Sequence, residues 1–313
     1  MVVVVIEIRE LTKRYGAKTA VDGLSVTVRP GMVTGFLGPN GAGKSTTMRL
    51  IIGLDAPSSG EVRVGGRRYR DFPAPLHEVG ALLEAREVHP GRTAYKHLLA
   101  LARTHGISPR RVEEVIGLAG LSEVARHRVG GFSLGMGQRL GIAAALLGDP
   151  EVVMLDEPVN GLDPEGVRWV RTLLAGLAAE GRTVFVSSHL MGEMALTAQH
   201  LVVIGRGRLI ADSSVADFTA RAPGEFVRVR TADASRLGEL LAGPGVTIRP
   251  ASDGVLEVTG LTSDQIGVVA AAGKVTLYEL APQHASLEEA FMEVTHDHVE
   301  YHAGDLASIG SRA

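Results

Sequence analysis

The sequence predicts an α/β domain followed by a small α+β domain, and three observations support this prediction. Short β-branched runs alternate with helical patterns over the first two thirds of the chain. Residues 152–155 and Thr183–Ser187 are apolar without alternation, as buried parallel strands require. Beyond Gly224 the predicted elements follow the order βαββαβ, which is typical of a ferredoxin-like sandwich. We therefore expect a first domain over 1–220 and an accessory domain over 225–295.

The early strands of the first domain are bounded by Gly, Pro or Asp. They are predicted over 2–8, 26–28, Val33–Leu37, 62–64 and 79–83, with a hairpin turn at Gly65-Gly66. Between the two apolar strands, Pro164–Ala179 is predicted as a helix, because Asp163 is a suitable N-cap and Pro164 suits the first helical position. This succession is a βαβ unit with parallel strands.

From 93 to 147 the strand signal vanishes and apolar residues recur at helical spacing. We expect a helical insertion over about 90–147. In the accessory domain, strands are predicted over 226–230, 246–249, 255–258 and 275–279, and helices over Ala234–Leu241, Ser263–Ala272 and 286–294. Residues 296–313 are polar and rich in Gly and Ser, so a flexible tail is expected there.

The composition excludes several classes of protein. The 32 Lys and Arg against 35 Asp and Glu give a net charge of −3, which leaves no overall basic field for nucleic acid. The chain has no Cys, which excludes disulfides and thiolate metal sites. The apolar run at residues 1–6 lacks the features of a signal peptide, and no stretch reaches the ~20 apolar residues that span a bilayer. A cytoplasmic protein is expected.

A phosphate-binding loop follows the strand Val33–Leu37 and opens a helix predicted over 45–52. The segment fits G-x-x-x-x-G-K-[ST] in the strand–loop–helix context that this motif needs. Glycines let backbone N–H groups approach a phosphate, and the helix N-terminus adds partial positive charge. Lys44 is expected to reach the β- and γ-phosphates, and the Ser45 hydroxyl to bind Mg²⁺. The predicted nucleotide-binding residues are Gly38, Pro39, Asn40, Gly41, Ala42, Gly43, Lys44, Ser45 and Thr46. The alternative is a glycine-rich turn in a glycine-rich chain.

Two acidic residues end the apolar strand at 152–155. In open α/β sheets, ligands gather at the carboxyl ends of the strands. Asp156 can therefore hold Mg²⁺, directly or through water, and Glu157 can activate a water against the γ-phosphate. His189 follows Thr183–Ser187, which we expect to lie beside the Asp156 strand, so that the imidazole points at the same phosphate. The alternatives are a charged turn for the acidic pair and a structural role for the histidine.

Over residues 4 to 220 the chain resembles the ATP-binding subunits of ABC transporters. The resemblance rests on the order of its motifs, which are the phosphate loop, the helical insertion, Ser133-Leu134-Gly135-Met136, Asp156-Glu157-Pro158, Asn160-Gly161-Leu162-Asp163 and Ser188-His189. It implies a P-loop NTPase domain, ATP and Mg²⁺ as cofactors, and ATP hydrolysis as the reaction. It also implies a head-to-tail, ATP-dependent dimer, formed with an identical or a related ATPase subunit, with two nucleotides at the interface.

The resemblance implies roles for further residues. Tyr15 would stack on the adenine, with an ordinary strand-end tyrosine as the alternative. Ser133 and Gly135 would bind the γ-phosphate held by the opposite subunit, and Asp163 would contact that subunit. Glu84 stands where the family usually has a Gln that contacts Mg²⁺ and the lytic water. In having Glu at this position, the chain resembles the bacitracin and lantibiotic exporter branch of the family. The alternative is that Glu84 is an acidic surface residue without a role in the site.

The signature departs from the family pattern, because Leu134 and Met136 replace the usual Gly and Gln. The C-terminal portion around 286–291 resembles the extension of daunorubicin-type drug exporter ATPases.

By this resemblance, the protein is expected to couple MgATP hydrolysis to a separate integral membrane permease and to export a drug-like or lipophilic compound. It would lie on the inner face of the cell membrane, held there only through the permease. The alternatives are a soluble ABC-type ATPase and an ATP-dependent regulatory module without a membrane partner. The first usually carries two cassettes or a long coiled-coil insertion, and the intact Glu157 and His189 argue against the second.

Overall fold

The computed structural model of the protein describes residues 4–83, 88–219, 226–252, 254–283 and 286–295. The chain divides into two compact units, and the second unit spans Ala216–Glu293. Each unit has its own sheets and its own buried core. Glu84 and the tail expected over 296–313 lie outside the described residues.

Strands and helices alternate along the described chain. The strands are β1 (Ile6–Tyr15), β2 (Lys18–Val28), β3 (Val33–Leu37), β4 (Ser59–Val64), β5 (Val79–Leu82), β6 (Val152–Asp156), β7 (Thr183–Ser187), β8 (His200–Gly205), β9 (Arg208–Ser214), β10 (Phe226–Thr231), β11 (Thr247–Ser252), β12 (Val255–Thr259) and β13 (Leu277–Gln283). The helices are α1 (Lys44–Ile51), α2 (Ala94–Thr104), α3 (Pro109–Leu118), α4 (Leu134–Ala145), α5 (Pro164–Ala179), α6 (Met191–Thr197), α7 (Val215–Thr219), α8 (Ala234–Leu241), α9 (Ser263–Ala272) and α10 (Leu287–Thr295).

The main sheet of the first unit is largely parallel. Within the described residues its order is β5-β6-β7-β3-β8-β9, and β9 runs antiparallel to β8. The strands β3 and β7 are buried at every position, because other elements cover both faces of the sheet. The expected pairing of β6 with β7 is confirmed, with Asp156 opposite Ser187.

A smaller antiparallel sheet, with the order β2-β1-β4, shares a core with α1 and the main sheet. Ile6 and Met48 in this core are completely buried. Phe36 and Phe185 join the same cluster, and their ring centroids lie 4.9 Å apart. This packing holds α1 against the strand β3 that precedes it.

The expected strands over 2–8 and 26–28 are wrong in extent, because β1 and β2 form one long hairpin. Register shifts between Ile8 and Leu11, and again around Lys13, interrupt the alternation of buried and exposed residues along β1. The prediction depended on short β-branched runs, so it detected only the open end of the hairpin, where Ile6 pairs with Val28.

The strands β8 and β9, which were not predicted from the sequence, are joined by a two-residue turn. Arg206 and Gly207 form this turn with φ angles of 49° and 80°. Two successive residues in the left-handed region match the twist of a two-residue hairpin. The turn at Gly65-Gly66 is likewise confirmed, with φ angles of 54° and 76°.

The segment predicted as a helical insertion contains α2, α3 and α4. Each of these helices has a side-chain N-cap, respectively Thr93, Ser108 and Ser133, whose oxygen accepts a backbone N–H of the first turn. A Cβ at Gly80 of β5 would overlap the carbonyl oxygen of Ala145. Glycine at this position therefore lets the end of α4 pack directly on the edge of the main sheet.

The second unit is a four-stranded antiparallel sheet in the order β11-β12-β10-β13 among the described residues. Its chain order, β10-α8-β11-β12-α9-β13, confirms the predicted ferredoxin-like arrangement. Val229 and Val258 from the sheet and Leu237 and Ile266 from the helices are completely buried. These residues form a core between the sheet and the α8–α9 layer.

Candidate active site

The candidate site lies where the parallel strands β3, β6 and β7 end. Because β3 and β6 both pair with β7 in parallel, their carboxyl ends lie at the same edge of the sheet. Residues 38–43 follow β3, the pair Asp156 and Glu157 ends β6, and His189 follows β7. The structure therefore brings the predicted phosphate loop, acidic pair and histidine together.

The phosphate loop, residues 38–43, leads directly into α1. Gly43 precedes the helix with a φ of 102°, and a Cβ there would overlap the carbonyl oxygen of Ala20. Both the backbone conformation and the packing therefore require glycine. The described first turn of α1 contains no side-chain cap and no acidic residue. Because the first N–H groups of a helix lack intrahelical partners, this N-terminus suits a phosphate group.

Lys44 supplies the positive charge of the loop. Its Nζ donates to the carbonyl oxygens of Gly38 at 2.6 Å and Pro39 at 3.3 Å. Burial lowers the pKa of the Lys44 ammonium group, while the nearby carboxylates of Glu157 and Asp156 act in the opposite direction. The Lys44 ammonium group is thus bound to the phosphate loop and lies near the carboxylates of Asp156 and Glu157.

Asp156 connects the phosphate loop to two strands. Its Oδ2 accepts a hydrogen bond from the Ser45 hydroxyl at 2.7 Å, and its Oδ1 accepts a short one from the Ser187 hydroxyl. The Ser187 oxygen in turn accepts the backbone N–H of Glu157 at 3.1 Å. Sequence reasoning missed Ser187 as a site residue, although a polar side chain at the last position of a buried apolar strand was a usable signal.

Glu157 has a φ of 51°, a left-handed conformation that costs a non-glycine residue about 1–3 kcal/mol. Its Oε2 accepts hydrogen bonds from His189, at 2.8 Å from Nδ1 and 3.4 Å from the backbone nitrogen. For Glu157 to act as an ionised acceptor in this hydrogen bond, Nδ1 of His189 has to carry a proton, because a carboxylate can only accept. The Glu157 side chain is 22% exposed and that of His189 52%, so a small solute can reach both.

Comparisons with known proteins agree with this geometry. A family model described as ABC transporter matches residues 21–160. The uncharacterized ABC transporter ATP-binding protein YhcH of Bacillus subtilis (strain 168) is 37% identical over 304 residues, which cover 93% of this chain and 96% of that protein. The chain belongs to the ABC transporter ATP-binding proteins.

Other matches of this ABC protein concern parts of the chain. The bacitracin transport ATP-binding protein BcrA of Bacillus licheniformis is 41% identical over 211 residues, covering 66% of this chain and 69% of BcrA. A solved structure titled as the ATP binding subunit of an ABC transporter superposes with a TM-score of 0.63 at 27% identity, over 68% of this chain and 91% of that one. A domain of unknown function, DUF8746, matches residues 225–288.

The family confirms the predicted fold class and activity. The first unit is an ABC-type P-loop ATPase domain, and the protein is an ATPase. In the described parts of this ABC protein, none of the helices combines the length and the apolar character needed to cross a membrane.

The ABC signature opens α4. Ser133 is exposed, and its Oγ accepts the backbone N–H of Met136 at 3.2 Å. A hydroxyl that accepts one hydrogen bond still has its own hydrogen to donate. Leu134, one of the two departures from the family signature, packs against Gly161, where a Cβ would overlap its side chain. The larger residue at 134 is therefore accommodated by a glycine in the segment after Glu157.

Tyr15 lies at the end of β1, and the residue is 48% exposed. Its hydroxyl donates to Oδ2 of Asp55 at 3.0 Å, and the same oxygen accepts Nε of Arg49 at 2.7 Å. Partial burial raises the pKa of the Tyr15 hydroxyl, and the hydrogen bond to Asp55 adds to the shift. Asp55, which sequence reasoning missed, thus connects the predicted adenine-stacking ring to the C-terminal end of α1 in this ABC ATPase.

Proposed function

We propose that this ABC ATPase works as one of two paired subunits and drives a separate membrane permease that exports a drug-like or lipophilic compound. The observation that supports the reaction is the hydrogen-bonded chain at the sheet edge. It runs from Ser45 through Asp156 and Ser187 to Glu157 and His189. Such a chain connects the phosphate loop to a carboxylate that can accept a proton.

In the proposed reaction, backbone N–H groups of residues 40–46 and the Lys44 ammonium bind the β- and γ-phosphates of ATP, since Pro39 has no N–H to donate. When ATP binds, Lys44 gives up its hydrogen bonds to the loop carbonyls and donates to phosphate oxygens instead. Because it is a buried cation, its charge is weakly screened and acts strongly on the phosphates. Positioning and charge neutralisation are the main contributions that a protein makes to phosphoryl transfer.

The donor set also suits Mg²⁺. Octahedral Mg²⁺ has ligands at about 2.1 Å, so neighbouring ligand oxygens lie about 3 Å apart. Ser45 Oγ and Asp156 Oδ2 are 2.7 Å apart, close to that spacing. The described residues contain no group of three or more His, Cys, Asp or Glu side chains arranged for a metal, which is consistent with an ion that takes its other ligands from phosphate and water. Mg²⁺ would neutralise charge on the β- and γ-phosphates. Glu84, predicted as a further ligand, stays a prediction.

Glu157 is the proposed base. A water oxygen attacks the γ-phosphorus while Glu157 accepts a proton from that water, and the bond to the bridging oxygen breaks, so that ADP leaves with the electron pair. His189 holds Oε2 of Glu157 through Nδ1. With the proton on Nδ1, the Nε2 atom donates to a γ-phosphate oxygen only when the imidazole is doubly protonated.

The remaining contacts would come from the adenine side and from the second subunit. The exposed ring of Tyr15 is available to stack on a base. Ser133 and Gly135 would bind the γ-phosphate held by the opposite subunit, and Asp163 would contact that subunit. The hydroxyl hydrogen of Ser133 and the N-terminus of α4 supply donors for this purpose.

The transport partner is inferred from the relatives. BcrA is named for bacitracin transport, and it shares 41% identity with this chain over the matched residues. We therefore place the protein on the inner face of the cell membrane, bound to an integral membrane permease. Bacitracin is the first compound to test.

The deciding experiment is mild detergent extraction of native membranes, followed by purification through this subunit with ATP present or with the Glu157→Gln variant. We expect one membrane protein with several spans, at near-equal stoichiometry. In proteoliposomes containing both proteins, bacitracin should raise the rate of ATP hydrolysis, and the Lys44→Ala variant should show no such stimulation. If no membrane protein is recovered under either condition, the exporter proposal is wrong, while the ATPase assignment is unaffected.

A further inference from the structure

Gln138 lies in α4, on the signature helix, yet its side chain contacts the backbone of Glu157. It is 4% exposed, and its Nε2 donates to the backbone carbonyl oxygen of Glu157 at 3.0 Å. A buried side-chain amide that donates to a backbone carbonyl across two elements fixes the direction of that peptide group. The residue it fixes is the one proposed above as the base.

The Glu157 peptide is held on both sides. Its N–H is donated to the oxygens of Ser187, at 3.1 Å to the hydroxyl and 3.3 Å to the carbonyl. Its carbonyl oxygen accepts Gln138 Nε2 and also the backbone N–H of Asn160 at 3.2 Å. A left-handed non-glycine residue keeps its conformation only when its surroundings impose it. Among the described residues, Gln138 is the one partner in these hydrogen bonds that belongs to the helical insertion.

We infer that Gln138 is a positioning residue for ATP hydrolysis, which aims the Glu157 carboxylate by holding the peptide carbonyl of Glu157. This inference rests on the proposed role of Glu157 as the base. Because the Gln138 side chain hydrogen-bonds to the Glu157 backbone, the inferred action on hydrolysis passes through Glu157.

The first test compares Gln138→Met with the whole wild-type protein. Methionine keeps the length of the side chain and removes the N–H donor. Because a misplaced catalytic group is costly, we expect kcat to fall about ten- to a hundredfold, with KM for ATP within about twofold of wild type. Gln199→Met is the matched control. Gln199 also bonds to backbone groups, Val33 N and Thr197 O, but at the amino end of β3. We expect it to leave kcat unchanged.

The chain contains a reporter for α4. Trp169 is the single tryptophan of the sequence, and the Arg139 guanidinium lies 4.7 Å above its ring. Arg139 follows Gln138 on α4. An unchanged Trp169 emission spectrum in Gln138→Met shows that α4 remains packed, so that a lower kcat reports the lost hydrogen bond.

The second test separates positioning of the base from general support of the fold. In the Glu157→Gln background, Gln138→Met should cause no further loss of the residual rate, because the group it positions is no longer a base. An equal loss in both backgrounds overturns the inference. Wild-type kcat in Gln138→Met, together with an inactive Glu157→Gln, overturns the inference and leaves the proposed function intact. Wild-type kcat in Glu157→Gln overturns both.

Gln138→Glu provides a pH readout that does not depend on Gln138→Met. A protonated carboxyl group at 138 can donate to the Glu157 carbonyl, and an ionised one cannot. The ratio of Gln138→Glu activity to wild-type activity should therefore rise as the pH falls. The same ratio for Gln138→Met should stay constant. A pH-independent ratio for Gln138→Glu contradicts the inference.

Discussion

The two units of the protein distribute their polar side chains in different ways. In the first unit, side chains from the phosphate loop, β6 and β7 converge at one sheet edge and bond across elements that are far apart in sequence. In the second unit, charged residues alternate with buried valines along β10, and the partners lie on the adjacent strand. Arg228 and Arg230 each approach Glu279 at 3.8 Å.

The difference follows from strand direction. Parallel neighbours present all their carboxyl ends at one edge, where loops from several strands meet. Antiparallel neighbours alternate in direction, so their polar residues pair across the sheet face instead. Because several polar side chains meet at one sheet edge in the first unit, substitutions there should have large effects on catalysis. In the second unit the polar side chains pair on the sheet face, so substitutions there should have only small effects.

The largest effect is expected for Glu157→Gln. The amide cannot accept a proton from water, so kcat should fall by about a hundredfold or more, within the range for loss of a general base. ATP binding should persist, since the phosphate loop is untouched. Single-turnover hydrolysis and equilibrium binding of labelled ATP measure the two quantities separately. A wild-type kcat would contradict the assignment of the base.

Lys44→Ala should mainly reduce nucleotide binding. The loss of a buried cation facing the phosphates should weaken ATP affinity by about ten- to a hundredfold, in line with the strength of charge-assisted hydrogen bonds. Because burial lowers the pKa of Lys44, wild-type binding should start to weaken on the alkaline side below the ordinary titration range of lysine. Binding isotherms at several pH values test this, and Lys44→Ala should lack that alkaline decline.

Ser187→Ala should have an intermediate effect. The change removes the donor to Asp156 and the acceptor for the Glu157 N–H, so both groups lose part of their orientation. We expect kcat to fall about tenfold. Thr183→Val is the matched control, because the Thr183 hydroxyl bonds to Val4 O at the other end of β7. If both variants lower kcat equally, the effect does not depend on the hydroxyl lying at the carboxyl end of β7, and the proposed role of Ser187 is wrong.

A smaller effect is expected at the adenine side. Asp55→Asn weakens the hold on the Tyr15 hydroxyl without removing the ring, so KM for ATP should rise about two- to fivefold with kcat unchanged, as for loss of a single exposed hydrogen bond. Tyr15→Phe should have a similar effect, and the double variant should add little. Additive losses would show that Asp55 does not act through Tyr15.

The smallest effect is expected in the second unit. Glu279→Gln removes an exposed charge from two long contacts, so the free energy of unfolding should change by no more than about 0.5 kcal/mol. The kcat of ATP hydrolysis should not change. Denaturant unfolding and steady-state ATPase assays measure these quantities. A loss of kcat comparable to that of Ser187→Ala would break the contrast between the units.

Part of the fold was predictable because its signals are local. The limits of β3, β7, α5, α8 and α9 are as predicted, since they depend on continuous apolar runs, N-caps and a proline at the first helical position. The phosphate loop was predictable for the same reason. The long hairpin of β1 and β2 was not, because its bulges break the periodicity that a sequence pattern can show.

By itself, the sequence determined the elements with local signals, the motif residues and the family to which their order points, because each depends on residues close together in the chain. Only the tertiary structure decided which side chains form the hydrogen bonds that orient Asp156 and Glu157. Ser187 and Asp156 are 31 residues apart, and Gln138 and Glu157 are 19 apart. Their hydrogen bonds depend on strand order and on the packing of α4, which no local pattern records.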